Sequence, residues 1–403
     1  MSRLVTRVLL KNYKSIAACD VELGDLTFLV GPNGSGKSNF VDALRFVADA
    51  LRTSLDHAMR ERGGISEVRR RSKGHPTHFG VRVEVSLNSG QTGHYAFRIG
   101  ARPQGGFEVQ TEECVVHPAE PLEPSAMFRV RSGAVTSSIE SPPPAQADRL
   151  YLVTASGFPE FRAIFDALSR MGFYNLNPAE IAKPQKPDQG DLLARDGSNI
   201  ASVVDQMGKR EDSAKIRIEE YLGKVVPGIR GVTHKGVGGM ETLEFRQSVP
   251  GDPNPWKFPA ASMSDGTLRS LGVLVALLQS PNGIGVAVPL VGIEEPEIAL
   301  HPAASGVLLD ALNEASLTTQ VVVTSHSADL LDDVRVGTEA ILAVMARDGV
   351  TFIAPVDDVG RQALHDRLYT AGELLRLDQL TPDPASIARL TGKQLNLFGH
   401  GMN

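Results

Sequence analysis

Gly31-Pro32-Asn33-Gly34-Ser35-Gly36-Lys37-Ser38 has the spacing GxxxxGK[ST], which suits the wrapping of phosphate. Small residues let consecutive backbone N–H groups converge on an anion, and a helix that follows points its positive end at the same charge. In that chemistry Lys37 reaches the β- and γ-phosphates and the Ser38 hydroxyl ligates Mg²⁺, while Asn33, Gly34, Ser35, Gly36 and Asn39 complete the cradle. A plain Gly/Ser turn before a helix is the competing explanation. The strand-like run Leu26–Val30 before the loop, and the helical stripe Phe40, Leu44 and Val47 after it, favour the phosphate reading.

A second set of residues fits the other half of a phosphoryl-transfer site. The apolar run Val288–Ile293 ends in Glu294 and Glu295, two carboxylates at the C-terminal edge of a strand. One carboxylate there holds Mg²⁺ through water and the next orients an attacking water, so Glu294 is assigned to the metal and Glu295 to the water. The first residue of such a pair is usually Asp, and Glu294 departs from it by one methylene. A second apolar strand, Val321–Val323, ends in Thr324-Ser325-His326-Ser327. Ser264-Asp265-Gly266-Thr267 precedes the apolar helix Leu268–Leu278. Ser264 is a natural N-cap, and its hydroxyl with the N–H groups of Gly266 and Thr267 makes an anion site at a helix start. Taken alone, that segment is equally well explained as a cap.

The elements that must position these residues follow from periodicity. Leu4–Leu10 and Val21–Val30 read as strands, and a helix is expected from Lys37 to about Arg52. Alternating segments Val81–Leu87, Tyr95–Ile99, Phe107–Val116 and Phe128–Arg131 predict an antiparallel sheet. Phe158–Met171 and Asn199–Leu222 read as helical, the latter broken near Gly208; from Ser264 onward helix and strand alternate as in a parallel sheet. The expected fold is α/β: a P-loop head with a mixed parallel core sheet, an antiparallel β lobe and a small helical insertion. By motif the chain divides into a first lobe (1–180), an insertion (181–255) and a second lobe (256–403).

Composition narrows the class. The 403 residues are 42% hydrophobic and 22% charged, enough for a sizeable core. A net charge of −6 argues against wholesale coating of nucleic acid, so any DNA contact must come from a local patch. Cys19 and Cys114 cannot build a zinc cluster, and no CxxC is present. No signal-peptide pattern opens the chain and no apolar run approaches ~20 residues, so the expectation is a cytoplasmic protein without membrane association.

Together these residues resemble the ABC-type ATPase heads of the RecF, SMC and overcoming-lysogenization-defect (OLD) group. The resemblance rests on Asn12-Tyr13-Lys14-Ser15-Ile16, Gly31–Asn39, Glu294–Pro302 and Thr324–Ser327, and covers about half the chain. It implies ATP and Mg²⁺ as cofactors and a head-to-tail homodimer closed on ATP. In that arrangement Ser264, Asp265, Gly266 and Thr267 act as the ABC signature on the nucleotide of the other subunit, and His326 is the switch histidine at the γ-phosphate. Lys37, Glu295 and His326 form the implied catalytic set. Lacking CxxC and long heptads, the chain does not resemble a zinc-hook repair ATPase or a full SMC arm protein. Too few residues follow His326 for the Toprim nuclease of OLD proteins, so any nuclease is expected to act in trans. The family's Q-loop glutamine is not assigned.

Two further signals concern partners. Arg60, Arg62, Arg69, Arg70, Arg71 and Lys73 form a basic stretch that is a candidate DNA contact, with a solvated loop as the alternative. Gln394-Leu395-Asn396-Leu397-Phe398 resembles the QLxLF peptide that docks bacterial proteins on the sliding clamp; Gln394, Leu395, Leu397 and Phe398 are the candidate contacts. Packing of Leu397 and Phe398 on the parent domain competes with that. Three functions are therefore expected in order: an ATPase controlling DNA engagement or a separately encoded nuclease in a defence setting, a RecF-like repair ATPase docking on the clamp, and a slow nucleotide-dependent assembly switch.

Overall fold

The computed structural model describes residues 3–72, 76–120, 124–210, 213–279, 288–298, 300–301, 304–333, 335–392 and 395–399. In chain order the strands begin with β1 (Val5–Tyr13), β2 (Ile16–Glu22), β3 (Leu26–Val30), β4 (His78–Ser86), β5 (Thr92–Ala101), β6 (Phe107–His117), β7 (Ala126–Arg131) and β8 (Ala134–Ser137). They continue with β9 (Gly172–Tyr174), β10 (Ile229–Val237), β11 (Met240–Gln247), β12 (Trp256–Pro259), β13 (Leu290–Glu294), β14 (Gln320–Ser325), β15 (Ile341–Arg347) and β16 (Val350–Pro355). The helices are α1 (Lys37–Arg52), α2 (Leu55–Arg60), α3 (Ile65–Val68), α4 (Tyr151–Ala155), α5 (Pro159–Ser169), α6 (Pro178–Ala182) and α7 (Ile200–Lys209). After them come α8 (Ser213–Val225), α9 (Asp265–Leu278), α10 (Ser305–Ser316), α11 (Ala328–Leu331), α12 (Asp358–His365), α13 (Ala371–Arg376) and α14 (Pro384–Gly392).

The chain forms two compact units, Met1–Met171 with Arg335–Asn403, and Gly172–Val334. The division differs from the motif-based one, because the C-terminal segment returns to the N-terminal strands. In the first unit the strands run in the order β8-β7-β6-β5-β4-β1-β2-β16-β15-β3. Pairing is antiparallel from β8 to β2, and parallel where β2 meets β16 and where β15 meets β3. The expected single strand Val21–Val30 is two strands. Its break comes at Gly24, whose N–H donates to the Thr27 hydroxyl, so that β2 pairs with β1 and β3 with β15. Helix α1 matches the expected span, and its buried face carries Phe40, Val41, Leu44, Phe46, Val47 and Leu51. Phe46 meets Tyr13, Phe79 and Phe97 with ring centroids 5.5–6.2 Å apart, an aromatic cluster that fixes α1 to the sheet.

In the second unit β14, β13 and β9 pair parallel in that order. β14 is buried at every position and β13 at all but its last, the pattern of parallel strands covered on both faces. Strands β10, β11 and β12 form a separate antiparallel sheet. The stretch Asn199–Leu222, expected as one or two helices broken near Gly208, carries α7, which runs through Gly208 to Lys209, and α8. Among the described residues no helix is long and apolar enough to cross a membrane.

Candidate nucleotide site

The phosphate loop lies between β3 and α1. Gly34 and Gly36 take φ of 77° and 100°, the left-handed region that glycine enters without strain. A Cβ on Gly31 would lie 2.0 Å from the Val344 carbonyl oxygen of β15, so the loop's first residue must also lack a side chain. Lys37 is buried and its Nζ donates to the carbonyls of Gly31 (2.7 Å) and Pro32 (3.0 Å), folding the lysine over the loop. Ser38, Asn33 and Gly34 are exposed. Ser35 is buried, and its Oγ has no hydrogen-bond partner. The residues fit a phosphate: an open glycine cradle, an unpaired hydroxyl and a 16-residue helix whose N-terminus begins at Lys37.

The segment Asn12–Ile16 braces that helix. Asn12 and Lys14 both have positive φ, which turns the chain sharply between β1 and β2. The buried Tyr13 hydroxyl donates to Asp42 Oδ2 at 2.8 Å, and Lys14 pairs with the same carboxylate. Arg62 also comes to Asp42 (3.0 Å) and to Asp49 (3.0 Å), with its side chain only 2% exposed. Burial pushes the Tyr13 hydroxyl well above its ordinary pKa. For Asp42 burial opposes ionisation, but Arg62 and Lys14 outweigh it and hold the carboxyl below its usual value. Arg62 is thus not an exposed cation available to DNA; the expectation for it is corrected, because Asp42 and Asp49, on one face of α1, draw it inward. Of the remaining basic residues, Arg60 pairs with Asp56 and Arg71 with Glu67, Arg69 donates to the Pro76 carbonyl, and Arg70 is half-buried. Lys73 lies outside the described residues.

In the second unit, parallel pairing sets Glu294 beside Thr324, so the ends of β13 and β14 coincide. The next residues, Glu295 and His326, come together: His326 Nδ1 is 3.3 Å from Glu295 Oε1 without hydrogen-bond geometry. Glu295 has φ of 45°, uncommon for a non-glycine residue, and its N–H is held by the Thr324 carbonyl at 2.9 Å. Its carbonyl accepts from Arg269 of α9 at 3.3 Å. Burial lowers the Arg269 guanidinium, partly offset by Glu295 and Glu297. Glu294 accepts from Arg195 at 3.1 Å. Glu297 receives the Ser325 hydroxyl at 2.7 Å and the His326 N–H at 3.2 Å, while its second oxygen is buried without a partner. Arg195, Arg269 and Glu297 were not among the candidate site residues read from the sequence. Glu297 stands two residues past the carboxylate pair, which was the available signal.

Ser264 caps α9, accepting the Thr267 N–H at 3.2 Å, and its side chain and that of Asp265 are exposed. Gly266 is half-buried and Thr267 buried. At the C-terminal end, Leu397 is 4% exposed and sits over Gly80 of β4. Arg82 donates to the Leu397 carbonyl, the Gly399 N–H donates to Glu113, and Phe398 lies under Arg98 at 5.6 Å. Leu395 is half-buried, and Gln394 lies outside the described residues. Burial opposes ionisation of Glu113, but His94, Gly399 and Arg129 outweigh it and bring the carboxyl down to about 2. The tail therefore packs on its own sheet.

The candidate site is thus built from a glycine cradle opening α1, parallel strands that lead into Glu294–Glu295 and His326, and the Ser264-capped helix α9. The fold is that of SMC heads. The chain is similar to an SMC head bound to the C-winged helix domain of ScpA, with TM-score 0.55 and 17% identity over 87% of this chain and 97% of that one. It is also similar to an SMC head with an extended coiled coil bound to the C-terminal domain of ScpA derived from Pyrococcus furiosus, with TM-score 0.54 and 14% identity over 91% and 99%. The chain belongs to the family described as "AAA domain, putative AbiEii toxin, Type IV TA system", whose model matches residues 26–333. No curated protein matches it by sequence.

Proposed function

We propose that the chain binds and hydrolyses ATP, and that ATP closes two copies head to tail. The observation that carries this reading is the meeting of Glu295 and His326 at 3.3 Å, at the ends of adjacent buried strands. Lys37 and the loop N–H groups bind the β- and γ-phosphates, and Glu295 orients the attacking water. His326 senses the γ-phosphate beside it. Ser38 and Glu294 would hold Mg²⁺, which would supply charge neutralisation at the phosphate oxygens. The exposed Ser264 and Asp265, with Gly266 and Thr267, cap the nucleotide of the second copy. Wild-type protein should release phosphate from ATP, and Glu295→Gln should slow that release by about 100-fold or more. Equal rates would remove Glu295 from the chemistry.

The cycle serves, in this reading, to control DNA engagement or a nuclease encoded separately, in cytoplasmic defence. The toxin–antitoxin wording of the family description supports defence over repair. The candidate DNA contact is Arg60, Arg69–Arg71 and Lys73, without Arg62, which is buried. Neutralising Arg69, Arg70 and Arg71 should weaken DNA binding and flatten its salt dependence; unchanged affinity excludes the patch. Clamp docking is the weaker reading, because Leu397 would have to leave a buried seat.

A further inference from the structure

The phosphate loop touches a polar side chain from far along the sequence, Thr351. Thr351, at the start of β16, is 1% exposed, and its N–H donates to the Ser15 carbonyl at 3.0 Å. Its hydroxyl donates to the Ser35 carbonyl inside the loop at 2.8 Å. The same hydroxyl oxygen lies 2.7 Å from Ser15 Oγ, and Ser15 Oγ accepts from Asn39 Nδ2 at 2.6 Å.

The direction of this chain of bonds follows from the hydrogens available. Thr351 has one hydroxyl hydrogen, and a carbonyl can only accept, so that hydrogen goes to Ser35. Ser15 must then donate to Thr351, and its remaining lone pair takes the Asn39 amide. The series runs one way, from Asn39 through Ser15 and Thr351 to the Ser35 carbonyl. The loop, the first turn of α1, the β1–β2 turn and β16 are thereby joined.

A peptide unit is planar, and no peptide bond in the described residues is cis. In a trans unit the carbonyl and the following N–H point in opposite directions. Holding the Ser35 carbonyl against β16 therefore directs the Gly36 N–H away from Thr351. Without that bond the Ser35–Gly36 peptide is free to rotate, since Gly36 accepts φ values of either sign. Thr351 also sets the residue type at 36, because a Cβ there would lie 2.0 Å from its hydroxyl oxygen.

We propose that Thr351 is a positioning residue for nucleotide binding: its hydroxyl, oriented by Ser15 and Asn39, fixes the Ser35–Gly36 peptide so that the Gly36 N–H faces the bound phosphate. This rests on the nucleotide reading above. The test is titration of full-length protein with Mg²⁺ and the slowly hydrolysed analogue ATPγS, beside thermal unfolding of each variant. Thr351→Val, which keeps the shape and removes the hydroxyl, should weaken binding about 10-fold, the effect of leaving one carbonyl unsatisfied in the loop. Thr351→Ser, which keeps the hydroxyl, should bind within about 2-fold of wild type. In steady state the valine variant should raise KM for ATP and leave kcat nearly unchanged, as expected when binding alone is lost.

Wild-type affinity in a folded Thr351→Val variant, or equal weakening in the Val and Ser variants, overturns the positioning role while leaving the nucleotide reading intact. Failure of the wild type itself to bind ATPγS overturns both. If Thr351→Val does not fold, Ser15→Ala removes the donor that orients Thr351, together with the acceptor of the Asn39 amide. Weakening of about 3-fold there supports the proposal, and unchanged affinity ends it.

Discussion

Around Gly36 the groups that shape the loop are tied down by their own chain: Lys37 by two loop carbonyls, the Ser35 carbonyl by Thr351, and α1 by Tyr13, Lys14 and Arg62 through Asp42. Around Glu295 the pattern is reversed. His326 Nδ1 and one oxygen of Glu297 have no hydrogen-bond partner, against Ser35 Oγ alone within the loop; Glu294 is held by a half-exposed arginine, and Glu295 itself sits at positive φ. The difference separates binding from chemistry. A phosphate cradle gains from rigidity before its ligand arrives, since preorganised N–H groups need no reorganisation on binding. Under the proposed function, a carboxylate and histidine that meet a water and a γ-phosphate gain from valences left open. On this account changes near the loop cost folding and binding together, while changes near Glu295 cost turnover alone.

The largest expected effect tests the first half. Arg62→Met leaves Asp42 and Asp49 with fewer partners in a buried setting and should lower unfolding free energy by about 3 kcal/mol, read by urea denaturation. A loss below ~1 kcal/mol would show that Lys14 at Asp42 and Arg45, 3.2 Å from Asp42 and 3.4 Å from Asp49, suffice, and that the bracing around the loop is redundant.

A pH titration provides a control outside both regions. Glu112 is fully buried, and desolvation pushes its carboxyl up to about 7 despite bonds from Tyr95, Tyr151 and Leu152. A raised carboxyl pKa means the folded state holds its proton longer than the unfolded chain. Its contribution is full below about 4.5 and is lost as pH rises towards 7, by about 3 kcal/mol. Glu112→Gln should flatten that fall in stability between pH 5 and 8; an unchanged slope assigns it to other groups.

Lys37→Ala should weaken ATP binding about 100-fold through loss of charge-assisted bonds to phosphate. Smaller again in free energy, His326→Ala should slow phosphate release about 10-fold and leave stability within ~0.5 kcal/mol of wild type. A large stability loss in that variant would mean the histidine is structural, and the contrast between the regions would fail.

Much of this was legible in the residues. The span of α1 was readable because a glycine cradle marks its start and an apolar stripe marks its face. Glu294, Glu295 and His326 were readable because unbroken apolar runs, buried on both faces, end abruptly in polar residues. Thr351 was not: one hydroxyl in a short strand, far from the loop in sequence, carries no periodic or spacing signal. Arg62 misled because a run of arginines says nothing of which member turns inward. The signal lay instead in Asp42 and Asp49, seven residues apart on one face of α1. The tail motif gave two readings, clamp docking and packing on the parent domain, and the burial of Leu397 over Gly80, a residue with no side chain of its own to fill that space, favours packing.

The central claim, that ATP joins two copies and Glu295 releases them, is tested most directly by light scattering of Glu295→Gln with Mg²⁺ and ATP. The account predicts a stable species of twice the 43.2 kDa chain mass, dispersed when ATP is withdrawn. A variant that remains at the mass of one chain with ATP bound, while releasing phosphate at the wild-type rate, would contradict it.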